Sequence, residues 1–217
     1  MTKITDIKTN KKNKERVSIF VEGEFILACS NELVYKRSLK IGDKIDVETL
    51  KEIAKEDEFL KARGQAYKYL ERTYKTEKEV RDNLEKKGYE ENTIDRVILV
   101  LREYNLTDDY RYAEIFIKSK IRTNGMTKIS YDLERKGISK EIISEAISNT
   151  MIEDDSVEKV EEERCYDIAL KKYIQLKRRE DDQYKLKGKL FTFLAGRGYD
   201  FDLINSVTEK ILLEENN

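Results

Sequence analysis

The residues of this 217-residue chain whose types and spacing could do chemistry are its clustered bases. Arg111, Lys118 and Arg122 are spaced by seven and four, which places them on one face of a helix. Lys120, Lys128, Arg135 and Lys136 lie close by in sequence. The densest run is Lys171, Lys172, Lys177, Arg178 and Arg179, followed by Lys185, Lys187 and Lys189. Ammonium and guanidinium groups in such rows bind rather than transform: they neutralise phosphates or the acidic surface of another protein. Each cluster taken singly also fits an ordinary solvated face. The formal net charge is only −1, so any polyanion must be held by local patches, and avid non-specific DNA binding is disfavoured.

Bond-making chemistry finds little support. There is no His, which removes the commonest general base and metal ligand. Gly188 and Lys189 end like a phosphate-binding loop, but Gln183 stands where that motif needs its first Gly and no buried strand precedes it. The paired carboxylates Asp108 and Asp109 fit a helix start better than acid–base work. No Ser or Cys sits in a nucleophile context. We therefore expect no enzyme, no cofactor and no metal site. Cys29 and Cys165 are far apart and form no C-x-x-C pair, which fits a reduced, cytosolic compartment. No apolar run reaches transmembrane or signal-peptide length, and a cytoplasmic protein is expected.

The elements that must position the bases are announced by a phrase written three times: an apolar residue, three residues, Leu, three residues, Gly. The copies are Val80, Leu84 and Gly88; Ile129, Leu133 and Gly137; Leu190, Leu194 and Gly198. An apolar residue follows each Gly (Tyr89, Ile138, Tyr199), and six residues beyond the Gly stands Ile94, Ile143 or Ile204. Each copy reads as helix, Gly stop, helix, because Gly alone takes positive φ without a Cβ clash. The intervals between copies leave room for a third helix in every unit. Charged residues make up 40% of the chain against 39% hydrophobic, with mean hydropathy −0.73 and no Pro. That balance suits long helices with much exposed surface.

Residues 1–50 differ from the rest. Val17, Ile19 and Val21 alternate with Ser18 and Phe20, Glu22 and Gly23 turn the chain, and Phe25 to Cys29 run back, which is a β-hairpin pattern. Asn31 to Lys36 reads as a short helix and Ile45 to Val47 as a short extended piece. From Glu48 the pattern is helical. Thr49 to about Arg72 reads as two helices with a break near Glu56 or Asp57. Thr76 with Glu79 forms a capping box for the next helix. The acidic segment Glu153 to Glu163 reads as the start of a long helix through Leu176. We expect a mainly α protein: an elongated, curved array of three tandem three-helix repeats behind a small N-terminal β-hairpin region. Its parts would be a β-rich region 1–50 and repeats 51–105, 106–152 and 153–217.

One stretch carries a resemblance. Leu106-Thr-Asp-Asp-Tyr-Arg-Tyr-Ala-Glu-Ile-Phe-Ile-Lys-Ser-Lys-Ile-Arg122, then Gly125 to Ile129, then Asp132-Leu-Glu-Arg-Lys-Gly-Ile138, resembles the central signature of the RecX family of RecA regulators. The three triplets and the N-terminal hairpin extend the likeness over nearly the whole chain. It departs from the family in two places: Lys128 alone represents the basic residue usual before the repeat helix, and the third unit has a long acidic lead-in with Gly196 near its stop. The resemblance implies a non-enzymatic, mainly negative modulator that lies in the groove of the RecA filament on single-stranded DNA. It would block extension and lower ATP hydrolysis and strand exchange. On that reading Arg111, Lys118, Arg122, Lys128, Lys171, Lys172, Arg178 and Arg179 contribute to the RecA or DNA contact, and the protein acts as a monomer. The alternative is a stand-alone DNA-binding helical repeat protein.

Overall fold

Strand β1 (Thr2–Thr9) is followed by β2 (Arg16–Val21) and β3 (Glu24–Ser30), helix α1 (Asn31–Lys36) and the two-residue β4 (Lys44–Ile45). The helices α2 (Val47–Leu70), α3 (Glu77–Lys86) and α4 (Glu91–Glu103) come next, then α5 (Asp109–Lys120), α6 (Met126–Arg135) and α7 (Lys140–Glu153). The chain ends with α8 (Ser156–Lys177), α9 (Gln183–Ala195) and α10 (Phe201–Glu214). This is a computed structural model that describes residues 2–153 and 156–214, with side chains described outside 151–160. Two compact units form: residues 1–75 with 80–107, and residues 76–79 with 108–217. The first turn of α3 thus belongs to the second unit.

The β2–β3 hairpin forms around positive-φ Glu22 and Gly23, as its alternation predicts. It is joined by β1, which the pattern did not announce, and by β4, which meets the extended piece expected at Ile45 although Val47 already belongs to α2, giving a four-stranded sheet of order β3-β2-β1-β4. Strand β1 was hidden by a bulge: Ile4 pairs with Val21 but Asp6 with Phe20, so Thr5 is extra and Ile4 and Ile7 stand three apart instead of two. One face of the sheet buries Ile4, Val17, Ile19, Val21, Cys29 and Ile45 against Leu33 of α1 and Ile53 of α2.

The expected break at Glu56 or Asp57 does not occur, since α2 runs unbroken for 24 residues. Asp57 is only 4% exposed, and its carboxylate is consumed by partners. It takes both amino groups of Arg16 at 3.1 and 3.0 Å, the Lys61 ammonium at 2.8 Å and the Ser30 backbone N–H at 2.8 Å. A charge that looked like a helix breaker is the tie between α2 and the sheet.

The three copies of the repeated phrase fill three separate cores. Leu84, Leu133 and Leu194 are each fully buried, as are Val80, Ile129 and Leu190. Burial of each such side chain contributes about 1.5–3 kcal/mol. The first helix of every triplet supplies a close pair one turn apart, at least one member of which is small: Ala62 and Ala66, Ala113 and Ile117, Cys165 and Ala169. Gly88, Gly137 and Gly198 stop their helices at φ of 84°, 86° and 80°. The fold is therefore mainly α, three three-helix units behind a small sheet. Of the acidic lead-in, Asp154 and Asp155 lie outside the described residues, while α8 is helical from Ser156.

Candidate functional site

In the second unit, the start of one repeat helix receives the Gly end of the next, and this happens twice. Thr76 and Glu79 form the expected capping box, Thr76 N–H donating to Glu79 at 3.1 Å and Glu79 N–H to the Thr76 hydroxyl at 3.2 Å. The Thr76 hydroxyl also donates to the Lys136 carbonyl at 2.8 Å, and the Lys136 ammonium reaches Glu79 at 2.7 Å. Beside them Glu77 N–H donates to the Asp109 carboxylate at 2.9 Å. At the second joint Gly125 N–H donates to the Arg197 carbonyl at 3.0 Å and Met126 N–H to the Glu161 carboxylate at 2.9 Å. Each joint thus answers the N–H groups left open at a helix start with a carboxylate from the first helix of the following repeat. Helix α9 instead caps its own start, the Asp182 carboxylate accepting from Tyr184 and Lys185 N–H.

These joints set where the bases stand. Asp108 caps α5 by accepting from Arg111 N–H at 2.9 Å, which fixes the register that leaves Arg111 and Lys118 exposed two turns apart. Arg122 is exposed too, but α5 ends at Lys120, so Arg122 sits in the following turn and not on the helical face. Lys128 is half-buried, because it packs on the second joint: a β-carbon at Gly198 would lie 2.3 Å from Lys128 Cβ.

In the third repeat the sequence clusters converge. Lys172 near the end of α8, Arg178 and Arg179 just past it, and Lys189 from α9 line a cleft of about 610 Å³ with Gln175 and Leu176. Lys171 faces solvent outside that lining. The Lys172 ammonium lies 5.1 Å above the Phe193 ring, which holds its stem in place. Lys189 is steadied by Glu180 at 2.9 Å, a contact that holds the Glu180 carboxyl below the usual range. Lys189 joins this group only through the α8–α9 hairpin, a proximity that spacing along one helix does not show. Four cations around an open cleft suit phosphates or clustered carboxylates. A second cleft of about 470 Å³ in the first unit also has bases on its walls, but Arg16 and Lys61 there are turned onto Asp57.

Neither cysteine is placed as a nucleophile. Both thiols are buried, and burial pushes Cys29 up to about 11 and Cys165 up to about 12. Among the described residues no group of three or more acidic or Cys side chains is placed to hold a metal ion. No described helix is long and apolar enough to cross a membrane.

Comparison with known proteins decides the family. Four domain profiles match in chain order: the regulatory protein RecX N-terminal domain at residues 2–46, and the RecX first, second and third three-helix domains at 62–99, 108–147 and 160–208. The chain belongs to the RecX family of regulatory proteins. The RecX regulatory protein of Clostridium perfringens strain 13 is 46% identical over 215 residues, covering 99% of both chains. That of Clostridium beijerinckii is 44% identical over 212 residues, covering 98% of this chain and 97% of the relative. A crystal structure of a regulatory protein RecX shares the fold, with a TM-score of 0.74 at 24% identity over 97% of this chain and 98% of that one.

Proposed function

We propose that this chain is a negative regulator of RecA that binds in the groove of the RecA filament on single-stranded DNA. There it limits filament extension, ATP hydrolysis and strand exchange. The observation that carries this reading is the likeness to RecX regulatory proteins from one end of the chain to the other, with every domain of the family in order. The protein is non-enzymatic, uses no cofactor, and works in the cytoplasm as a monomer.

Three tandem units favour this mechanism energetically. Several weak contacts on one chain become intramolecular once the first is made, so affinity for a filament of repeating protomers exceeds that for a single protomer. Arg111, Lys118, Arg122 and Lys128 in the second repeat, and Lys171, Lys172, Arg178 and Arg179 in the third, supply the contact with RecA or DNA. Lys189 adds to the third-repeat set because it shares the cleft.

The test is ATP hydrolysis by the cognate RecA on single-stranded DNA, titrated with this protein at amounts well below one per RecA. Strong inhibition is expected. Unchanged hydrolysis, together with tight and steeply salt-dependent DNA binding by the protein alone, would favour a stand-alone DNA-binding protein instead.

A further inference from the structure

The N-terminal sheet has a second face that the core does not use. Along β2 the buried residues Val17, Ile19 and Val21 alternate with Ser18 and Phe20, which point the other way. Beside Phe20 in the ladder stands Phe25 of β3, and the two rings meet edge to face at 6.0 Å. Phe25 is 58% exposed, unusual for a Phe on a small sheet. From β1, the Lys8 ammonium lies 4.9 Å above the Phe20 ring while holding Asp6 at 2.9 Å.

The charge around this face is uneven. The first 20 residues hold six Lys and Arg against two Asp and Glu, although the whole chain carries slightly more acid than base. Three of those bases, Lys11, Lys12 and Lys14, are exposed on the β1–β2 connection. The acids Glu22 and Glu24 lie at the opposite end, on the turn beyond Phe25. An anionic strand laid on the aromatic pair is therefore repelled at the turn and drawn toward the lysine-rich connection.

We propose that this face is a stacking platform for single-stranded nucleic acid that runs along β2, with an unpaired base on Phe25 near the turn and phosphates farther along the same strand held by Lys11, Lys12 and Lys14 at the other end. An exposed aromatic face on the track of a strand that ends among lysines binds unpaired strands with little regard to sequence, since every base has a π-face. A duplex hides its base faces and gains only the phosphate contacts. This inference stands independently of RecA, and its test contains none.

The chain has no Trp, so Phe25→Trp introduces a single indole at the proposed stacking position. With the full-length protein and a labelled oligo-dT strand, indole fluorescence is quenched as the strand binds. Phe25→Ala weakens binding roughly tenfold or more with an unchanged salt slope, because stacking is lost and phosphate contacts remain. The triple substitution Lys11→Glu, Lys12→Glu, Lys14→Glu weakens binding and lowers the salt slope by about two. An indole untouched by a bound strand, equal affinity for a duplex of the same length, or no binding of oligo-dT would each overturn the proposal. Phe25 is exposed, so its variants keep the parent's far-ultraviolet dichroism and melting curve.

Discussion

The Thr76 hydroxyl and the Lys136 carbonyl are hydrogen-bonded at 2.8 Å although 60 residues separate them. The bond joins the start of one repeat helix to the end of the next. The same two residues are linked a second time through Glu79, which closes the Thr76 capping box with one carboxylate oxygen and holds the Lys136 ammonium with the other. A local capping signal thereby serves as a joint between repeats. Such double use explains why the box sits on a fully buried Thr.

The Lys136–Glu79 pair makes stability depend on pH at the alkaline end. Burial pulls the Lys136 ammonium down, but its contacts with Glu79 and Tyr112 outweigh this and hold it above the usual lysine value. The folded state therefore binds this proton more tightly than the unfolded chain does. Its contribution is complete below the unfolded value of about 10.4 and disappears as pH rises through the folded one. Lys136→Met should flatten the alkaline limb of urea-unfolding stability against pH. A double-mutant cycle with Glu79→Gln should return a coupling of about 1 kcal/mol.

The three helix-stopping glycines should respond differently to the same change. At Gly88 an added β-carbon meets no atom within 4 Å, so Gly88→Ala carries only the strain of a positive φ, about 1–2 kcal/mol. At Gly198 the β-carbon would also lie 2.5 Å from the Lys128 backbone nitrogen, which cannot swing aside. At Gly137 it would lie 2.4 Å from both Cβ and Cδ of Lys78; Cδ can swing aside and Cβ cannot, but no backbone atom of Lys78 is among the close contacts. Urea denaturation should rank the losses Gly198→Ala, then Gly137→Ala, then Gly88→Ala. Equal losses at all three would mean that close approach at the joints costs nothing beyond backbone strain.

What was legible in the sequence follows the same physics. Leu84, Leu133 and Leu194 with their glycines were readable because a helix core repeats every few residues and its stop needs a residue without Cβ. Strand β1 was not readable, since the bulge at Thr5 breaks the two-residue period that would have revealed it. Asp57 was misread because a carboxylate in a helix looks like a break until its partners Arg16 and Ser30, from a distant hairpin, are known. The Glu161 contact with Met126 and the approach of Lys189 to Arg178 likewise depend on how helices fold back on one another. The basic residues were identifiable as types, whereas the cleft that joins Lys189 to Lys172, Arg178 and Arg179 was not.

Asp57 should be the most sensitive charge in the first unit. Burial alone would raise its carboxyl, but the hydrogen bonds from Arg16, Lys61 and the Ser30 backbone reverse this and hold it below the ordinary value. The stability it provides is present above the unfolded value of about 3.9 and is lost as pH falls through the lower folded value. Asp57→Ala leaves Arg16 without its buried partner and should cost about 3 kcal/mol or more. Urea unfolding at pH 7 would measure that loss, and acid titration of the variant should show a shallower decline below pH 4. An unchanged midpoint would mean that the sheet and α2 hold together without this tie.

The two groups of bases can be separated by charge reversal under the proposed regulation of RecA. Arg111→Glu with Lys118→Glu alters exposed side chains on α5 and leaves the Asp108 cap, which uses the Arg111 backbone, in place. Lys172→Glu with Arg178→Glu inverts two walls of the third-repeat cleft. Loss of a charged contact at an interface slows association and makes binding less dependent on salt. If both repeats touch the filament, each pair should raise the concentration needed for half-inhibition of RecA ATP hydrolysis about tenfold. Together they should multiply, because the sites are distinct. Lys128→Glu serves as a contrast: its stem is packed against Gly198, so it should lower the melting temperature as well as inhibition. Should both pairs of variants inhibit like the parent while remaining folded, the bases are an ordinary solvated surface and the contact lies elsewhere on the repeats.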